Sequence, residues 1–83
     1  MKVLYFAWLR ERLNRGEETL APPHNVTTIA QLMDWMANND EGIKLAFEKR
    51  SLIKTALDEN IVEHDTPLGE AKTIAFFPPM TGG

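Results

Sequence analysis

The sequence predicts an α+β fold, a small mixed β-sheet covered on one face by one main helix and followed by an extended C-terminal Gly-Gly tail. Three observations predict it. Ile29, Leu32, Met33 and Met36 recur at i, i+3, i+4 and i+7, the spacing of one buried helical face. The apolar runs on either side of that segment are short and bounded by turn residues, as strands are. The chain has 83 residues, 43% of them hydrophobic, and no cysteine, so a single core must hold by packing alone.

Each element follows in order. Lys2 to Trp8 is a continuous apolar run containing Val3, Tyr5 and Phe6, and it reads as a buried strand. From Trp8 to Asn14 the period changes. Trp8, Leu9 and Leu13, with Arg10, Glu11 and Arg12 between them, fit one or two helical turns, and Asn14-Arg15-Gly16 stops them. Glu17 to Ala21 is expected to form a second strand paired with the first across this broad loop. Pro22-Pro23-His24-Asn25 is a break. Thr28-Ile29-Ala30-Gln31 has the form of a capping box, with Thr27 as a competing cap, and Asn38-Asn39-Asp40 ends the helix. Between Gly42 and Arg50, the residues Ile43, Ala46 and Phe47 predict a short amphipathic turn covering the sheet edge. Leu52 to Leu57 and Ile61 to His64 form a hairpin through Asp58-Glu59-Asn60, and Thr66-Pro67-Leu68-Gly69 is a turn. Thr73 to Phe77 is the last strand, ended by Pro78-Pro79. A first strand, a hairpin partner, a crossing helix and a final strand lying beside the first make the ubiquitin-like β-grasp arrangement. A ferredoxin-like fold needs a second helix that this pattern does not supply.

Charge and composition exclude several functions. The net charge is −3, with the acids scattered along the chain, whereas nucleic-acid binding needs a basic face. The start, MKVLYFAWLRER, is interrupted by Arg10 and Glu11 too early for a secretory signal, and no segment approaches transmembrane length. A cytoplasmic location is the default expectation. His24 and His64 stand forty residues apart without metal-ligand spacing, so both are expected as polar surface and no metal site is predicted. Met33, Trp35 and Met36 read as core. Ser51 lacks a glycine elbow, and no phosphate-binding glycine loop occurs.

The tail carries the chemistry. FFPPMTGG, residues 76–83, contains no charged side chain. Pro78 and Pro79 have no backbone N–H, so they cannot extend a sheet ladder, and they bias the chain toward extended polyproline II. Met80 to Gly83 then reach roughly 13 Å when fully extended. Gly82 and Gly83 have no Cβ and fit a channel too narrow for side chains. Such a tail offers one reactive group, the Gly83 α-carboxylate, which is expected to need activation as an acyl-adenylate before it accepts sulfide or acylates an amine. The chain therefore divides into a β-grasp domain over 1–79 and a flexible reactive tail over 80–83. Gly-Gly alone also fits a frayed end; its position after Pro-Pro on a final strand argues for function.

These residues resemble a known family. FFPPMTGG is similar to the end of the small, sulfur-carrier subunit of molybdopterin synthase, and Ala7-Trp8-Leu9-Arg10-Glu11, Val26-Thr27-Thr28, Asp65-Thr66-Pro67-Leu68 and Ile74-Ala75-Phe76-Phe77 fit the same family. The resemblance covers the whole length and is most specific in the tail. It implies a non-catalytic sulfur-donor subunit that binds no cofactor itself. An adenylating enzyme uses ATP to activate Gly83, sulfur is loaded as a thiocarboxylate, and the tail enters the large subunit, where catalysis occurs. There sulfur passes to cyclic pyranopterin monophosphate. The implied assembly is a heterotetramer. Gly83 would hold the sulfur, Gly82, Thr81 and Met80 would thread the channel, and Pro78, Phe77 and Phe76 would lie at the partner contact, with one of the two rings in the core. The chain departs from the family at Ala71-Lys72, where Gly-Asp is common, at Met80, where valine is more usual, and at Leu57-Asp58, in place of Val-Asn.

Three other readings remain open on the sequence: a sulfur carrier for thiamin thiazole formation or tRNA thiolation, a ubiquitin-like modifier of lysines, and a binding domain with an incidental tail.

Overall fold

A computed structural model of the chain describes residues 1–79. Among them, five strands form one mixed sheet in the order β2-β1-β5-β3-β4. β1 is Lys2–Tyr5, β2 Glu17–Thr19, β3 Lys54–Leu57, β4 Asn60–Val62 and β5 Thr73–Phe77. The last strand lies parallel to the first, with Val3 opposite Ile74 and Tyr5 opposite Phe76. The other pairings are antiparallel. One face of the sheet is covered, which is the β-grasp architecture the sequence predicts.

The covering helix α2 runs from Ile29 to Asn39 and buries Ile29, Leu32, Met33 and Met36, the four residues that set its period. Its N-terminus is a capping box. Gln31 N–H donates to Thr28 Oγ1 at 3.2 Å, and Gln31 Oε1 accepts from Thr28 N–H at 3.3 Å. Thr27 does not compete for the cap. Its N–H donates to the same Gln31 oxygen at 2.7 Å and reinforces the box.

Several boundaries differ from the sequence expectation, each for a local reason. β1 stops at Tyr5 because Ala7, with φ 55° and ψ −134°, turns the chain, so Trp8 opens helix α1 (Trp8–Leu13). That backbone region is normally open only to glycine. Asn14 ends α1 in the left-handed conformation, as its short polar side chain tolerates. β2 is shorter than Glu17 to Ala21, although Leu20 N–H still donates to Met1 O at 2.9 Å. The expected strand from Leu52 begins two residues late, after a 3₁₀ turn over Arg50–Leu52, and its partner closes at Val62 rather than His64. The segment expected to cover a sheet edge is helix α3 (Glu41–Ala46), which packs on α1 and α2. Phe47, which caps it, reaches the Phe76 ring at 5.0 Å. α3 thus closes the core beneath the sheet centre.

Two carboxylates hold the junctions. Asp40 ends α2 in an extended conformation and caps α3 through Ile43 N–H at 3.1 Å, while its other oxygen accepts from Arg15 at 2.7 Å. That hydrogen bond from Arg15 holds the Asp40 carboxyl below the usual range, against a smaller opposing effect of burial. Arg15 also bonds Glu18 at 2.9 Å, and Glu18 accepts from the Tyr5 hydroxyl. Burial, reinforced by Glu18, pushes the Tyr5 hydroxyl up, so it stays protonated. Asp58 performs the second junction. It and Glu59 form the two-residue turn of the β3–β4 hairpin, both at positive φ, 44° and 74°. One Asp58 oxygen accepts from Thr73 N–H and Lys72 N–H, both at 3.0 Å, and from Thr73 Oγ1 at 3.1 Å. The hairpin therefore fixes the entry into β5 at Lys72 and Thr73.

These bonds, led by the Thr73 and Lys72 amides, depress the Asp58 pKa in the folded state. With the folded value below the unfolded value of about 3.9, the stabilisation is complete above that pH and is lost as the pH falls through the folded value. Asp58→Asn tolerates the same left-handed backbone. It is expected to be less stable than the parent at neutral pH, and the gap should narrow on acidification when urea melts are compared across a pH series.

Candidate functional site

β5 is hydrogen-bonded on both sides, to β1 and to β3, and it ends at Phe77 with Pro78-Pro79 beyond. Its side chains alternate. Ile74 and Phe76 point into the core, and Phe76 is 0% exposed between Tyr5 and Phe47. Of the two rings, one of which the sequence expects in the core, Phe76 is the one that packs there. Phe77 is half-buried and faces the other way, as strand geometry requires of its neighbour. Pro78 and Pro79 are also half-buried. Met80, Thr81, Gly82 and Gly83 lie outside the described residues.

The sheet register defines what stands beside Phe77. Lys54 is its partner on β3, and Phe6, one residue past the Tyr5–Phe76 pair, continues the same face from β1. Ala75, Ala56 and Ile61 lie across that face in one row. The helices cover the opposite face, so this one is open. Ile61 is 75% exposed and Phe6 46%. A shallow cleft beside the root of the tail is lined by Phe77, Pro79, Ile61, Lys54, His64 and Arg50. The exposure of Phe6 and Ile61 on this face is not read from the sequence. The signal for Phe6 was present: next to buried Tyr5 on a strand, it must face outward.

The remaining candidates fall into place around this surface. His64 has Nε2 2.8 Å from Ile53 O, so it is engaged with the backbone, and His24 is exposed. Among the described residues there is no group of three or more His, Asp or Glu side chains placed to hold a metal ion. Met33 and Met36 are core, and Trp35 packs against it half-buried. Ser51 is exposed on the 3₁₀ turn. Among the described residues no helix is long and apolar enough to cross a membrane.

The strand order and the single helix layer place this chain in the class of ubiquitin-like β-grasp domains. Within that class the chain belongs to the ThiS family, whose profile matches residues 3–83. It is 35% identical over 83 residues to the molybdopterin synthase sulfur carrier subunit of Escherichia coli (strain K12), covering 100% of this chain and 99% of that protein. The subunit of the same name from Haemophilus influenzae is 29% identical over the same spans. Among solved structures, the fold is shared with a chain described as molybdopterin converting factor, subunit 1, from Pyrococcus furiosus, at a TM-score of 0.72, 22% identity and 94% coverage of each chain. It is shared too with SAMP1 from Haloferax volcanii, at a TM-score of 0.71 and 19% identity, covering 99% of this chain and 97% of that one.

The two adjacent phenylalanines have separable roles. Phe76→Ala is expected to cost about 3–5 kcal/mol of stability, the range for deleting a buried aromatic. Phe77→Ala is expected to cost much less. Denaturant unfolding of both variants checks this, and equal losses would contradict the assignment of faces.

Proposed function

We propose that the chain is a sulfur carrier of molybdenum cofactor biosynthesis that works through the Gly83 carboxylate. The observation that carries this reading is the end-to-end similarity to sulfur carrier subunits of molybdopterin synthase in a chain whose central strand leads into Pro-Pro-Met-Thr-Gly-Gly. The chain has no cysteine, so no side chain holds a persulfide or thioester, and the sulfur must ride on the backbone terminus. In the proposed cycle an activating enzyme joins the Gly83 carboxylate to AMP, releasing pyrophosphate from ATP. Hydrosulfide then attacks the acyl carbon and displaces AMP, and loss of its proton leaves a thiocarboxylate. Within the synthase large subunit that sulfur passes to the pterin precursor, water restores the carboxylate, and two such transfers build the dithiolene.

The open face is the docking surface in this reading. Holding the four tail residues in one conformation inside a partner costs roughly 4–8 kcal/mol, at about 1–2 per residue. Covering Phe6, Ile61 and Phe77 returns at most about 4.5–9 kcal/mol, at 1.5–3 for each fully buried side chain. The two are comparable, so contacts of the folded body can offset the ordering of the tail. Met80, Thr81 and Gly82 then act by passage through the partner's channel, with Phe77 and Pro78 as the contact at its mouth.

Intact-mass analysis after incubation with the activating enzyme, ATP and a sulfur donor is expected to show oxygen exchanged for sulfur at the terminus. Deleting Gly83 should leave thermal unfolding unchanged and abolish both loading and molybdopterin formation. A truncated chain that still supported cofactor synthesis would refute the mechanism, and conjugation to lysines without sulfur loading would favour a protein modifier.

A further inference from the structure

Of the five exposed large hydrophobic residues on the described surface, four lie at the end of the sheet where β5 finishes: Phe6, Trp8, Leu45 and Leu52. The backbone explains the clustering. Phe6 N–H donates to Phe76 O at 3.1 Å, so the chain leaving β1 stays beside β5, and the turn at Ala7 then sets Trp8 at the start of α1. On the other flank Lys54 pairs with Phe77, and Leu52 precedes it by two residues. Trp8, Leu45 and Leu52 line one groove on the helical side of this end, away from the open sheet face. Leu45 is 58% exposed and Leu52 47%. Single exposed apolar side chains are ordinary, but several lining one groove mark a contact surface.

The groove is lined by two cations and one acid. Arg12 and Lys49 flank it, and neither forms an ion pair among the described residues, although the chain as a whole is acidic. The Arg12 guanidinium lies 5.8 Å over the Trp8 ring, which holds its cation at the groove wall. Glu48 is the one acid that lines it.

We propose that this groove is a second docking site for the synthase large subunit, filled by an apolar side chain of that subunit flanked by a carboxylate. The inference rests on the sulfur-carrier reading above. A protein that takes up the residues after Pro79 must approach along the end of β5, and its rim then meets the open face on one side and the groove on the other. Contact with the open face alone leaves the carrier able to pivot about its own tail. A second contact across the root fixes its rotation, and with it the direction in which Gly83 is presented. The cationic flank selects partners that offer a carboxylate there.

Isothermal titration of the full chain against its large subunit tests the idea. Leu45→Asp/Leu52→Asp removes two exposed side chains and leaves the core intact, which a thermal melt verifies. It is expected to weaken binding about tenfold or more, as loss of interface anchors does. Arg12→Glu/Lys49→Glu should weaken binding and flatten its salt dependence, whereas Glu70→Lys, in a turn outside both surfaces, should leave it unchanged. Parent-like affinity in the leucine double variant overturns the proposal. So does a self-associated parent chain that this variant converts to monomer, or a loss confined to the activating enzyme. If the parent chain does not bind the large subunit at all, the sulfur-carrier reading falls together with the inference; if it binds and the leucine variant binds equally well, only the inference falls.

Discussion

The structure depends on one pairing, the parallel contact of the first strand with the last at the centre of the sheet. β5 sits between β1 and β3, so both of its backbone edges are engaged while Ile74 and Phe76 fill the core beneath. The segment that leads into the tail is thus the most firmly held strand of the domain. Releasing it means breaking two ladders and exposing Phe76, which amounts to unfolding the protein. A partner that grips the tail therefore grips a rigid body, and the open-face residues keep a fixed position relative to the root.

Around that centre the domain holds its shape without disulfides. Carboxylates at chain junctions take over part of the work. Asp40 ends one helix, starts the next and receives Arg15 from the β1–β2 loop. Asp58 ties the β3–β4 turn to the entry of β5. Each satisfies several backbone or cationic donors, and each links segments distant in sequence. They fix loops on which short elements depend, because helices of six residues do not persist on their own. The chemistry proposed for the protein asks nothing of these groups, which agrees with their placement away from the end of β5.

Most of the architecture was legible in the sequence because its signals are local. The period of α2, its capping box and the bounds of β5 all read directly, since spacing and cap chemistry act within a few residues. The uncharged composition of the tail is visible in the sequence, while residues 80–83 lie outside those the structure describes. Other features depend on tertiary placement. Nothing near Ala7 marks it as a residue that adopts a glycine-like conformation, so the end of β1 was read too far along. α3 looked like an edge cover because its apolar positions do not say which surface they meet. The two phenylalanines could have been separated by phase, as Phe76 shares the alternation of Ile74, but only with the covered face of the sheet known. The groove of Trp8, Leu45 and Leu52 was invisible for the same reason: it joins three segments that only the fold brings together.

The two outermost strands, β2 and β4, are three residues each. An unpaired strand border is a template on which another chain can add itself, and shortness is one of the ways proteins blunt it. Until a partner covers them, exposed apolar side chains such as Ile61 and Leu45 face solvent. With so little backbone offered at either border, two free copies have scant means of knitting their sheets together, and stickiness in the side chains is kept from becoming polymerisation.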